Sequence, residues 1–175
     1  MLIPTLSIVA LRRFGRDRRG SAAVEFAIVA PIFFALIFAI IETGLFFLGG
    51  QVLETAVQDT GRTFYTSQSV TEASLKKAFC TGVEPLMACD ATKLCLDVRK
   101  YAKGVSLENM KKAVDAAGTY SCVIELPAAT DVDVTIVVRG YYQWPLFVTG
   151  LGYNIGNIQN SNKRLLAATM AVRPQ

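Results

Sequence analysis

Four cysteines, a carboxylate at the mouth of an apolar run and the peptide bond just ahead of it are where this 175-residue chain concentrates its chemistry. They are Cys80, Cys89, Cys95 and Cys122, then Glu25, then Gly20-Ser21. An even number of thiols favours disulfides wherever the compartment is oxidising. No C-x-x-C pair is present to form a zinc site or a redox motif. Four cysteines admit three connectivities; Cys80 with Cys89 would close a short helix-to-strand loop, and Cys95 with Cys122 would bridge neighbouring strands, so these are the expected pairs. The complete absence of histidine removes Ser-His-Asp and Cys-His catalysis and the commonest zinc ligand sets. Scattered Asp, Ser and Lys residues put no nucleophile beside a base, and Asp131 with Asp133 has the spacing of a strand's solvated face. The expectation is a chain without catalytic residues, metal or other cofactor, and with no small-molecule substrate.

The element that must position Glu25 is the apolar stretch that follows it. Every residue from Phe26 to Ile41 is apolar or proline, and after Glu42 and Thr43 the run resumes through Leu48. As a helix, Phe26 to Leu48 is about 35 Å long, against a hydrocarbon core of about 30 Å. With hydrophobic residues at 52% and a mean hydropathy of +0.37, a membrane span is the natural reading. Of the 18 basic and 14 acidic side chains, Arg12, Arg13, Arg16, Arg18, Arg19 and Asp17 fall in residues 1–20, leaving the remainder neutral. The arginines precede the span and none follows until Arg62, which places the N-terminus in the cytoplasm and everything after about Gly49 across the membrane. A folded part without a basic face excludes nucleic acid as the partner. The run is too long for a cleaved secretory signal, and Leu48-Gly49-Gly50 lacks an A-x-A pattern.

Within the span, Ala23, Ala27, Ala35, Ala39 and Thr43 form a stripe of small side chains on which another helix can approach, and Pro31 should bend the helix near Ala27. Glu42 reads as water-facing at the far interface. Glu25, at the entrance, costs about 2.5–3.5 kcal/mol to bury unpaired near the bilayer centre, less at an interface, and so requires a partner. Two partners fit: a snorkelling leader arginine, or, if the chain is cut between Gly20 and Ser21, the new α-amine of Ser21 on a neighbouring subunit. That cut would also remove the arginines that hold the helix end in the cytoplasm.

Beyond the span the expected organisation is a basic leader 1–20, a transmembrane helix 21–50 and an extracytoplasmic domain 51–175. The helix should run on amphipathically to about Tyr65. Ser69 to Glu72 has capping-box spacing before Leu75, Ala78 and Phe79, and a second short helix is expected from Ser106 to Ala117, with Leu107, Met110 and Val114 on one side and Gly118 as its stop. Asp131–Arg139 alternates as a strand, with Gly140 to Pro145 ending it, and Lys93–Tyr101 alternates similarly. Arg164–Arg173 fits a third strand, although its alanines also suit a helix, and 149–162 reads as a loop. The fold class is α+β: a long N-terminal transmembrane helix packed on a small antiparallel sheet.

The Arg-rich leader, Gly20-Ser21, Ala22-Ala23-Val24-Glu25-Phe26-Ala27 and Pro31 inside the apolar helix resemble the TadE-like minor pilins, or pseudopilins, of bacterial tight-adherence (Tad/Flp) pili. Tyr141-x-x-Trp144-Pro145 resembles them too, although core packing or a membrane-interface aromatic belt is the favoured reading of these aromatics. The resemblance implies a pilin-like fold and cleavage after Gly20 by an inner-membrane prepilin peptidase. It makes Glu25 the acid that aids processing or subunit alignment, and other pilin or pseudopilin subunits and the Tad secretion machinery the partners. A head beyond the helix makes the chain similar to a minor component rather than to the major pilin. The alternative is an uncleaved single-pass anchor whose extracytoplasmic domain binds a partner or scaffolds assembly, with Tyr141, Tyr142 and Trp144 as an aromatic patch.

Overall fold

The computed structural model describes residues 20–66, 69–84, 86–102, 104–106, 110–128, 133–151 and 154–173, so the leader arginines lie outside the described residues. The elements in order are α1 (Ser21–Thr66), α2 (Glu72–Val83), β1 (Leu94–Ala102), β2 (Val134–Pro145), a 3-10 turn (Val148–Leu151) and β3 (Lys163–Val172). Two compact units divide between Ile40 and Ile41.

In the first unit α1 is a bare apolar rod. Helix continues through Pro31. Its most apolar stretch buries nothing, and Phe26, Ile28, Ile32, Phe33 and Phe38 are all more than half exposed. A helix apolar all round and uncovered by protein is suited to lipid.

In the second unit the remainder of α1 lies on a three-stranded antiparallel sheet of order β1-β2-β3. Alternation fixes which face meets the helix: Leu96 pairs with Gly140 and Gly140 with Ala168, while Val98 pairs with Val138 and Val138 with Met170. Of these, Leu96, Val98, Val138 and Ala168 join Leu53, Ala56 and Val57 of α1 and Leu75, Phe79 and Val83 of α2 in one core, with Met170 packed against it. Gly140 reads in sequence as a strand end, yet β2 runs through it to Pro145. A Cβ there would lie 2.6 Å from Val57 Cγ2 and 2.9 Å from Phe79 Cζ, so the glycine marks the place where two helices approach the strand. Asp131 and Val132, the expected start of this strand, lie outside the described residues.

Other expectations shift. Thr71, not Ser69, caps α2: its Oγ1 accepts the Ser74 N–H at 3.1 Å, and Ser74 Oγ accepts the Thr71 N–H at 3.0 Å. Two short hydroxyls complete the box, which frees Glu72 to pair with Lys76 on the surface. Of the helix expected at 106–117, Leu107, Glu108 and Asn109 lie outside the described residues, and Met110 to Ala117 is not helical but forms bends, a turn and a bridge from Val114 to Tyr120. Asp115 is the reason. Its carboxylate accepts the Thr119 N–H at 2.7 Å, and its carbonyl accepts that of Gly118, whose φ is +84°, so side-chain bonding closes a turn where the periodicity suggested a helix. The Thr119 N–H also holds the Asp115 carboxyl below its ordinary pKa. For Arg164–Arg173 the strand wins, because alternation puts Leu166, Ala168 and Val172 inside.

Candidate processing and assembly site

At the junction, Gly20 directly precedes α1 and is exposed, and no described atom lies within 4 Å of where a Cβ would be. Ser21 opens the helix, and its Oγ donates to Glu25 Oε1 at 2.9 Å. The spacing of four puts the two on one helix face, so a group at Ser21 sits within reach of the carboxylate. Ala23 and Ala27 are exposed beside them. Glu25 itself is exposed, which leaves its charge available to another group.

Glu42 behaves differently from the water-facing acid expected. It is 5% exposed and belongs to the second unit, where its two carboxylate oxygens accept the backbone N–H groups of Phe147 and of Val148, the latter at 3.2 Å. Those amides lead into the 3-10 turn and would otherwise be buried without partners. A single acidic residue amid apolar neighbours signals a buried acceptor as well as a surface charge; only the fold distinguishes them.

The head is cross-linked on two sides. Cys80 is joined to Cys89 and Cys95 to Cys122, with Cα separations of 5.4 and 6.4 Å. Beside the second bond, on the sheet face away from α1, a charge cluster is buried that sequence reasoning missed. Asp97, fully buried, accepts Arg99 Nε at 2.9 Å, Arg139 Nη2 at 2.6 Å and the Val123 N–H at 3.0 Å. The guanidiniums go on to donate to Ser121 O and Lys111 O. Burial works against the charge on Arg139, but the hydrogen bond and charge of Asp97, together with Tyr141 and Tyr101, hold its pKa above the ordinary value. Asp97 and Arg99 alternate with Leu96 and Val98, a pattern that normally means a solvated face; here the irregular 110–125 segment covers it.

Tyr142 and Trp144 are 7% and 8% exposed and meet edge to face at 6.0 Å inside the core, so the suggested aromatic patch is not a surface. Among the described residues no group of three or more His, Cys, Asp or Glu could hold a metal ion.

Residues 20–62 match the family described as TadE-like protein. No curated protein and no solved structure matches the chain.

Proposed function

We propose that this chain is a minor pilin or pseudopilin of a Tad/Flp-type adhesion pilus, cleaved by a prepilin peptidase between Gly20 and Ser21 and then assembled through its apolar helix. The match of residues 20–62 to the TadE-like family carries this reading, because it covers the junction, Glu25 and the whole apolar run. The exposed glycine at the start of a lipid-suited helix supports it, since a peptidase needs an accessible bond at the membrane surface. Once cut, Ser21 bears an ammonium on the first residue of α1, four residues from Glu25. Within one chain or between stacked helices, that charge offsets the cost of placing the carboxylate in an apolar environment. The N-terminal flank is cytoplasmic, the head is periplasmic, and its role is structural.

Mass spectrometry of protein extracted from membranes that contain a competent prepilin peptidase tests the reading. The expected mature N-terminus is Ser21. Persistence of residues 1–20 would leave an uncleaved single-pass anchor instead.

A further inference from the structure

Along α1 the head has an order of side chains that corresponds to depth in a bilayer. β2 descends the helix: Gly140 abuts Val57, Trp144 abuts Gly49, and the Phe147 amide reaches Glu42. β3 ascends it: the Arg164 guanidinium stands 4.5 Å over the Phe46 ring, Leu166 lies beside Gly49, and Met170 lies beside Gly61. The lowest part of the head is therefore the Leu146–Val148 segment. Leu146 and Val148 are each 6% exposed, whereas Phe147 between them is 80% exposed, the most open large apolar side chain among the described residues.

Glu42 is not at the end of the apolar run but six residues short of Leu48. A hydrocarbon core of about 30 Å takes about 20 residues of helix, which from Phe26 extends to Leu45. Glu42 and the amides it binds then lie about 4–5 Å inside the hydrocarbon boundary. A carboxylate at that depth is tolerated because it is enclosed by protein and each of its oxygens accepts a backbone N–H. The same two bonds fix Phe147 with its ring pointing outward, at a level where the surroundings are acyl chains. One helical turn higher, about 6 Å, Arg164 holds a cation at headgroup level.

We propose that the base of the head is seated in the bilayer, with Phe147 inserted among the acyl chains beside α1 and Glu42 clamping the loop that carries it. This inference rests on the membrane-spanning part of the proposed function and is independent of cleavage. The occupant of the exposed apolar surface at Phe147 is lipid, because the loop is bonded to a residue inside the span itself.

The test uses the full chain in vesicles of phosphatidylethanolamine and phosphatidylglycerol, with acyl chains brominated or not. In a Trp144→Phe background, single tryptophans are placed by Phe147→Trp, by Phe34→Trp within the span and by Tyr65→Trp at the far end of α1. The expected result is a blue-shifted emission at 147 and a loss in brominated vesicles comparable with that at 34, with none at 65. Quenching at 34 but not at 147 would overturn the insertion while leaving the span intact; quenching at neither would remove both. Because Trp144→Phe alters the core, a photoreactive benzophenone amino acid replacing Phe147 in the otherwise native chain gives a second readout. Lipid adducts are expected, and adducts only to protein would assign the surface to a second copy or another subunit and overturn the proposal.

Discussion

Asp97 of β1 lies opposite Arg139 of β2 in the ladder and takes two hydrogen bonds from its guanidinium, at 2.6 and 3.0 Å, in a site closed to water. With Arg99 on the same carboxylate, one acid holds two cations, and each cation also ties down a carbonyl of the covering segment. The sheet face away from α1 is thus closed by a charged network, while the other face is closed by an apolar core.

Removing the acid should unmake that closure. Asp97→Ala leaves two guanidiniums buried without a counterion, and breaking a buried pair in this way costs about 3–5 kcal/mol. Urea unfolding of the full chain in detergent micelles, followed by the near-ultraviolet signal of Trp144, should show a loss of that order. A loss under about 1 kcal/mol would mean that the cluster is wetter than its burial implies.

The Glu42 clamp makes a separate demand on the backbone. Glu42→Ala leaves the Phe147 and Val148 N–H groups unpaired, at about 1–3 kcal/mol for each buried donor, whereas Glu42→Gln keeps an oxygen for one of them and should lose less. Amide hydrogen exchange at 147 and 148 should accelerate in the order wild type, Gln, Ala. Unchanged protection in the alanine variant would show that these amides have other partners.

How far these features were legible in the sequence depends on the range of the interaction responsible. The apolar run and the alternation around Val98, Val138 and Leu166 are local patterns, and they correctly yielded a long helix on an antiparallel sheet. Errors arose where a side chain bonded to backbone or crossed the fold. Asp115 turned an apparent helix into a turn through a bond four residues away, and Glu42 found partners more than 100 residues along the chain. Gly140 looked like punctuation because its reason for being glycine lies on two other elements. The burial of Asp97 and Arg99 was not legible, because no periodicity announces an irregular segment that comes back to cover their face of the sheet.

The two cross-links should differ in worth. Their sequence separations are 9 and 27 residues. In the chain-entropy account, closing loops of those sizes stabilises by about 2.5 and about 3.5 kcal/mol respectively. Replacing Cys95 and Cys122 together by serine should therefore lower stability more than replacing Cys80 and Cys89 together. Non-reducing peptide maps of the protein extracted from membranes should contain the 80–89 and 95–122 linked peptides; four free thiols or the crossed pairs would refute the arrangement.

Tyr120 gives the head an alkaline limit. Half-burial, foremost, pushes its phenol up to about 12, and its OH donates to Lys93 O at 2.6 Å. The unfolded phenol ionises near about 10, so the stability from this site is fully present below that value and is lost as pH rises from about 10 to about 12. A phenolate absorbance difference between wild type and Tyr120→Phe should isolate one titration near the upper value. A midpoint near the ordinary tyrosine value would show that the phenol is more open to water than its half-burial implies.

Glu25 and Gly20 should separate processing from assembly. Gly20 sits in open space with an ordinary backbone, so Gly20→Leu leaves the helix and its insertion unchanged, and a block in maturation would be specific to recognition at the junction. Glu25→Ala removes a carboxylate whose sole described contact is the Ser21 hydroxyl on the surface, so it should barely change the stability of the inserted subunit. Its loss would be felt only where helices stack and a neighbour's ammonium needs a counter-charge in an apolar setting. Membrane fractionation should show normal insertion of both variants, N-terminal mass analysis should show residues 1–20 retained in Gly20→Leu, and electron microscopy should show impaired pili with Glu25→Ala. Normal maturation of the leucine variant would move the cut elsewhere, and normal pili with the alanine variant would make the carboxylate dispensable and leave the Ser21 amine without its proposed task.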